Sequence, residues 1–206
     1  MKKSKVKSHP VSTRPASTSR KQGEKSDRGG KSKAQNGLII VYTGKGKGKT
    51  TAALGIALRA AGWGDKVAIV QFIKGYKKTG EWQLIERIEE IDIYQTSDDK
   101  VMAIDKPNKK HRKSVRKALK LTKKIIRNNK HKTIILDEIN NAIFYDLVEA
   151  GEIIRLLQNR PVGQTIVLTG RGAPPEIIDC ADMVTEMKEV KHPYKLGVSA
   201  KKGIDF

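Results

Sequence analysis

A segment rich in glycine and lysine is the part of the sequence best suited to bind phosphate. Residues 44–50 read GKGKGKT. Glycine lets backbone N–H groups converge on phosphate oxygens, and lysine adds positive charge beside the same anion. The segment therefore predicts a phosphate-binding loop. Its candidate nucleotide-binding residues are Gly44, Lys45, Gly46, Lys47, Gly48, Lys49, Thr50 and Thr51.

This loop departs from the usual pattern G-x-x-x-x-G-K-[ST]. Counting back from Gly48, Lys49 and Thr50 puts Thr43 at the first position, where a glycine is usual. The flanking sequence still fits, because an apolar run precedes the loop and an alanine-rich, helix-forming stretch follows it. In this arrangement Lys49 would bridge phosphates, and the Thr50 hydroxyl would contact Mg²⁺.

A second motif ends in two carboxylates. Residues 133–138 read TIILDE, an apolar strand followed by Asp137 and Glu138. A carboxylate at this place would hold Mg²⁺ or its waters beside the phosphates. The two motifs together predict a nucleoside triphosphate site with Thr50, Asp137 and Glu138 as metal-binding residues. Kinases, ATPases and GTPases share such motifs, so the motifs do not identify the bond that breaks.

Two further cations follow predicted strands. Lys74 lies in VQFIKG, and Arg171 lies in TGRGAPP. Ligands bind at the carboxyl ends of the strands in an open parallel sheet, so both side chains are expected at the nucleotide edge. A guanidinium can also form paired hydrogen bonds with triphosphate oxygens. We therefore add Lys74 and Arg171 to the predicted nucleotide-binding residues.

Apolar runs alternate with helix-forming stretches after residue 36. Strands that are apolar on both faces are typical of a mostly parallel sheet with helices on both faces, which predicts an α/β fold. The predicted strands are 37–43, 66–73, 91–95, 133–137, 164–169, 183–190 and 198–206. The predicted helices are 50–61, 82–88, 109–128, 144–151, 152–159 and 175–181.

Residues 1–36 form a strongly basic segment with eleven Lys or Arg residues and two acidic ones. The segment has too few apolar residues to offset the entropy that ordering would cost. We therefore expect a disordered basic tail at 1–36 and one domain at 37–206. The tail could attract a polyanion such as nucleic acid, or only keep the protein soluble. The single cysteine, Cys180, fits a reducing cytoplasm, and no apolar run is long enough to predict a membrane span.

Longer stretches resemble a known family. GKGKGKTTAALG, VQFIKG with GEW beyond it, LDEINNAI, TGRGAPPEIIDCADMVTEMKEVKHP and the terminal GIDF resemble the P-loop ATP:corrinoid adenosyltransferases, from about residue 37 to 206. The short loop is itself typical of that family. The resemblance implies a RecA-like P-loop NTPase fold, a homodimer, Mg²⁺ as cofactor and a flavoprotein or flavodoxin reductant.

The resemblance also implies a reaction that suits these residues. The family transfers the 5′-deoxyadenosyl group of ATP to the cobalt(I) of a reduced corrinoid, with release of triphosphate, in cobalamin biosynthesis and salvage. Cobalt(I) is itself the nucleophile, so no general base is required, and the departing triphosphate needs stabilisation by cations and amides. On this reading Lys49, Glu138 and Arg171 are the catalytic residues, and Glu138 or Asp137 holds the metal instead of activating water.

One stretch departs from the family pattern. Members usually carry a glycine/aromatic segment, G-F-x-W, that covers the corrin, whereas residues 94–105 here read YQTSDDKVMAID. Val101, Met102 and Ile104 are expected to supply an apolar lid in its place. The basic helix at 109–128 is either a solvated face or a surface for the carboxylate and phosphate groups of the corrinoid.

Two other functions stay open from the residues alone. A P-loop ATPase or kinase acting on nucleic acid is favoured by the sequence pI of about 10. It is disfavoured by the scarcity of aromatic residues, since such proteins stack bases on aromatic side chains. The second alternative is a non-catalytic carrier of a nucleotide or corrinoid.

Overall fold

The structure, a computed structural model, describes residues 37–73, 79–96 and 107–205. The strands are β1 (Ile39–Thr43), β2 (Val67–Gln71), β3 (Ile91–Gln95), β4 (Thr133–Asp137), β5 (Thr165–Thr169) and β6 (Met183–Glu186). The helices are α1 (Lys49–Gly62), α2 (Gly80–Ile85), α3 (Lys109–Asn128), α4 (Ile139–Phe144), α5 (Ala150–Gln158) and α6 (Pro175–Asp179). The predicted tail at 1–36, Lys74, and the lid residues Val101, Met102 and Ile104 lie outside the described residues.

All six strands form one parallel sheet in the order β3-β2-β4-β5-β1-β6. The order confirms the predicted parallel α/β architecture. The strand that precedes the phosphate loop, β1, lies between β5 and β6, and β5 separates it from β4. Because the strands are parallel, the segments that follow β1, β4, β5 and β6 all leave the same edge of the sheet.

Helices cover both faces of the sheet, as the apolar strands predict. Alternate residues of each central strand face opposite sides: Val41 belongs to the apolar cluster that includes α3, α4, α5 and α6, whereas Ile40 belongs to the cluster that includes α1 and α2. The side chain of Val41 is fully buried. Burial of a side chain of this size stabilises the fold by about 1.5–3 kcal/mol, so the two clusters hold the sheet edge in place.

The long helix α3 has the bounds that the sequence predicts. Asn108 begins it with a capping box, since its Oδ1 accepts from the His111 amide (3.1 Å) while His111 Nδ1 accepts from the Asn108 amide (3.1 Å). The helix carries ten Lys or Arg residues and no acidic residue. Glu152 of α5 pairs with Lys123 (2.7 Å) and Arg116 (3.2 Å), and the hydrogen bond from Lys123, followed by the charge of Arg116, lowers the pKa of its carboxyl.

Three predicted elements differ from the structure. The predicted helix at 144–151 is wrong, because α4 ends at Phe144 and Asp146 adopts a left-handed backbone (φ 52°) that separates α4 from α5. The predicted strand at 198–206 is also wrong, since residues 202–205 form a turn. The strand predicted at 183–190 ends at Glu186, because Met187 bonds to the phosphate loop instead.

Among the helices of the described residues, none combines the length and the apolar composition that a membrane span requires. The boundary of the predicted domain at residue 37 stays a prediction.

Gly55 lies in the middle of α1 with an open space beside it, because a Cβ built there meets no atom within 4 Å. We expect Gly55→Ala to stabilise the fold by about 0.5–1 kcal/mol, since alanine loses less backbone entropy in a helix. Thermal unfolding should show a rise in Tm of roughly 2–4 °C. Gly37→Ala is the control with the opposite sign, because Gly37 has a positive φ (68°) and its Cβ would overlap the Gln164 backbone.

Candidate active site

A cavity of about 460 Å³ lies at the carboxyl edge of the sheet. It is bounded by the phosphate loop, by the segments that follow β4 and β5, by the start of α2 and by the C-terminal turn. Its lining residues are Lys47, Gly48, Lys49, Thr50, Thr51, Leu54, Gly80, Glu81, Glu138, Asn141, Thr169, Gly170, Arg171, Gly203, Ile204 and Asp205.

The glycines at alternate positions of the loop allow its backbone to lie close to the chain that follows β6. The Gly46 amide donates to the Met187 carbonyl (2.6 Å), just after β6. A Cβ on Gly44 would lie 2.5 Å from the Met187 oxygen, and one on Gly46 would lie 2.8 Å from the Lys188 carbonyl carbon. Gly44 also has a positive φ (96°), which favours glycine. The loop therefore takes its shape partly from the chain that follows β6.

Lys49 reaches back over the loop from the first residue of α1. Its Nζ donates to the carbonyl oxygens of Gly44 (2.9 Å) and Gly46 (2.7 Å). This contact holds the ammonium group against the loop, and Lys49 is one of the residues that line the cavity. Helix α1 begins at the same point, so its N-terminal amides and the ammonium can act on one anion.

Asp137 organises three strand ends from a buried position. Its side chain is almost fully buried, and Oδ1 accepts from the hydroxyls of Thr50 (2.9 Å) and Thr169 (2.7 Å). Gln71 Nε2 donates to the second oxygen over 3.4 Å. Asp137 does not line the cavity, whereas Thr50 and Thr169 do. The carboxylate thus acts on the cavity through the hydroxyl groups that it orients.

Glu138 faces the cavity because the backbone turns sharply after β4. It adopts a left-handed conformation (φ 63°), which costs a residue with a side chain of the order of 1–3 kcal/mol. Its amide donates to Thr169 Oγ1 (2.9 Å), the same hydroxyl that donates to Asp137. The turn separates the two neighbouring carboxylates, so Asp137 is buried and Glu138 lines the cavity.

Arg171 lines the cavity from the loop after β5, between two glycines in positive φ. A Cβ on Gly170 would lie 2.7 Å from Asn141 Oδ1, so only glycine fits there. The Arg171 amide donates to the same Asn141 oxygen, which fixes the loop after β5 against α4. The Arg171 residue is exposed. The guanidinium can therefore reach an anion in the cavity.

The C-terminal turn supplies a carboxylate at the rim. Asp205 Oδ1 accepts from Lys47 Nζ, and Asp205 Oδ2 accepts from the Lys201 amide (2.8 Å). The Lys201 amide and then the Lys47 ammonium lower the pKa of the Asp205 carboxyl. The carboxylate is consequently ionised over a wider pH range than a solvated aspartate.

The structure brings most of the predicted site residues to one cavity. Those that line it are Lys47, Gly48, Lys49, Thr50, Thr51, Glu138 and Arg171. Gly44, Lys45 and Gly46 belong to the loop without lining the cavity, and Asp137 lies behind Thr50. Sequence reasoning assigned no role to Glu81, Asn141, Thr169 or the turn at 203–205. Their stretches GEW, LDEINNAI, TGRGAPP and GIDF carry the family resemblance, but the contacts between them depend on the fold.

A phosphate loop, a buried carboxylate behind it and a cavity at the carboxyl edge of a parallel sheet define a P-loop nucleotide-binding α/β protein. The family ATP:corrinoid adenosyltransferase BtuR/CobO/CobP matches residues 35–206. The corrinoid adenosyltransferase of Escherichia coli K12 is 38% identical over 84% of this chain and 87% of its own length. That of a Sinorhizobium species is 39% identical over 84% of this chain and 81% of its own length.

The chain therefore belongs to the ATP:corrinoid adenosyltransferase family, which confirms the resemblance seen in the sequence. It is a transferase, and its reaction is the family's transfer of an adenosyl group from ATP to a corrinoid, in adenosylcobalamin synthesis. Among solved structures, a KaiC-like protein from Pyrococcus horikoshii aligns with a TM-score of 0.49 and 19% identity, over 76% of this chain and 75% of that one.

We expect Gly46→Ala to weaken ATP binding, because the new methyl group would push the loop away from the backbone at residues 187–188. Overpacking of this kind costs about 1–3 kcal/mol, so the Kd for ATP should rise roughly 5- to 150-fold where the loop must regain its shape to bind. Isothermal titration calorimetry measures this directly. Gly55→Ala, in the same region but beside open space, is the matched control, and an unchanged Kd for Gly46→Ala would contradict this account.

Proposed function

We propose that this cavity binds the triphosphate of ATP and stabilises it as the leaving group of adenosyl transfer. The observation that supports the proposal is the meeting of Lys49, Thr50, Glu138 and Arg171 in one cavity, from three separate segments. These side chains are the types that the reaction needs, because the charge on the departing triphosphate grows as the bond breaks. Gly44, Lys45, Gly46 and Lys74 complete the proposed nucleotide-binding set.

The chemistry proceeds by a direct displacement at carbon. The electron pair of cobalt(I) forms the bond to the 5′ carbon of the ribose, and the pair of the breaking carbon–oxygen bond leaves with the triphosphate. Cobalt is formally oxidised to cobalt(III), and no proton is transferred. Lys49 and Arg171, which line the same cavity, would stabilise the developing charge, and the amides at the start of α1 would add to this stabilisation.

Mg²⁺ fits the oxygen donors at this edge. The Thr50 hydroxyl is held by buried Asp137, and Glu138 faces the cavity. In the described ranges, no group of three or more His, Cys, Asp or Glu side chains forms a cage for a metal ion. A hard cation bound by a hydroxyl, a carboxylate and phosphate oxygens matches this set. Thr50 and Glu138 would hold the ion, directly or through water, and Asp137 would act on it through the Thr50 hydroxyl. The ion would neutralise phosphate charge.

Three further assignments rest on membership of the family: the oligomeric state, the cellular location and the electron donor. We propose a homodimer, to which the exposed residues Met183 (41%) and Val184 (39%) on the edge strand β6 lend support. We propose a cytoplasmic enzyme, which fits the single cysteine; burial raises the pKa of the Cys180 thiol and makes it less reactive. The cobalt(I) state requires an electron donor, for which we propose a flavoprotein or flavodoxin.

The decisive experiment supplies Mg-ATP and chemically reduced cobalamin, and follows the corrinoid absorption and the phosphate products. We expect a light-sensitive cobalt–carbon product and free triphosphate. Lys49→Ala and Arg171→Ala should each lower kcat by roughly 10²–10³-fold, because each removes a donor to the leaving group. Lys132→Ala is the matched control, since Lys132 pairs with Asp65 away from the cavity.

Other products would identify other functions. ADP and phosphate formed faster with DNA or RNA would indicate a nucleic-acid-dependent ATPase, and no product at all would indicate a carrier. Full transfer activity in Lys49→Ala would remove the loop from the mechanism.

A further inference from the structure

The C-terminal turn forms one wall of the cavity. Gly203, Ile204 and Asp205 line it together with Lys47, Gly48 and Lys49 of the phosphate loop. The amides of Ile204 (3.1 Å) and Asp205 (2.8 Å) donate to the Lys201 carbonyl, and the Asp205 carboxylate accepts from the Lys201 amide. All five residues from 201 to 205 are exposed. The turn can therefore move without uncovering the core.

Asp205 joins this turn to the phosphate loop. Its Oδ1 accepts from Lys47 Nζ, and the two side chains are 26% and 44% exposed. Exposed ion pairs of this kind contribute little to stability, so the lysine can change partners readily. A carboxylate oxygen and a phosphate oxygen are both anionic acceptors for an ammonium. Asp205 thus holds Lys47 with the same kind of contact that a phosphate would make.

The charge balance of the cavity does not favour the Asp205 carboxylate and a bound triphosphate at the same time. Lys47, Lys49 and Arg171 face it, against the carboxylates of Glu81 and Glu138. A triphosphate adds several negative charges to this balance. A third carboxylate within a few ångströms of the phosphates would repel them, because the distance is shorter than the screening length of about 8–10 Å.

We propose that Asp205 is a placeholder for phosphate: its carboxylate positions Lys47 over the loop and is displaced when the triphosphate binds, so that the turn at 201–205 opens. This inference rests on the proposed use of the cavity for the triphosphate. Asp205 is a positioning residue, because it acts through Lys47 and leaves the site before the chemical step.

The test measures the Kd of inorganic tripolyphosphate and of Mg-ATP by calorimetry. Asp205→Asn should bind both ligands about two- to fivefold more tightly, the range of one exposed ion pair, because the competing anion is gone. Asp65→Asn is the matched control: it removes the same charge from an exposed Lys–Asp pair outside the cavity and should change neither Kd. In the Lys47→Ala background, Asp205→Asn should have a smaller effect than in the wild-type protein, because only the direct repulsion between the carboxylate and the phosphates is then removed.

Hydrogen exchange provides a second readout. Tripolyphosphate should speed amide exchange at residues 201–205 in the wild-type protein and leave it unchanged in Asp205→Asn. Weaker or unchanged binding of both ligands by Asp205→Asn would overturn the placeholder role while leaving the proposed function intact. Failure of the wild-type protein to bind tripolyphosphate, with adenosyl transfer unaffected by Lys49→Ala, would instead overturn the proposed function itself.

Discussion

The buried carboxylate of Asp137 is the interaction on which the rest of the site depends. It accepts from Thr50 and Thr169, which stand at the start of α1 and the end of β5. An almost fully buried carboxylate without such donors would be costly, so the network fixes both hydroxyls as well as the charge. One residue at the end of β4 therefore aligns the phosphate loop with the loop that carries Arg171. The left-handed turn at Glu138 follows from the same arrangement, since it lets the next carboxylate face the cavity.

The second constraint is the contact between the loop and the chain after β6. Gly44 and Gly46 lie against backbone atoms of Met187 and Lys188, where a Cβ has no room. The spacing of these glycines is thus set by close packing against the backbone of the same chain, as well as by the need to bind phosphate. The same contact explains the early end of β6, because the Met187 amide and carbonyl bond to residues 43 and 46. A loop shorter than the usual pattern keeps its shape because a neighbouring segment supports it.

The sequence predicted the sheet and the main parts of the site because these rest on local patterns. Five-residue apolar strands and the bounds of α3 follow from periodicity, and the loop and TIILDE motifs follow from residue type and spacing. The helix predicted at 144–151 failed because a single left-handed residue, Asp146, decides where α4 ends. The strand predicted at 198–206 failed because the amides of Ile204 and Asp205 bond back to the Lys201 carbonyl and close a local turn. The roles of Asn141 and Asp205 depend on contacts 30 and 158 residues away, which no local pattern encodes.

The charge on α3 has a consequence for how the fold responds to its solvent. Ten cations follow one another along about 30 Å of helix, and Glu152 offsets only Arg116 and Lys123. Like charges three and four positions apart repel each other, and the apolar face of the helix must hold against that repulsion. Added electrolyte weakens repulsion between exposed charges more than it affects buried apolar contacts. This protein should therefore gain resistance to unfolding as ionic strength rises, whereas a protein rich in surface ion pairs loses it.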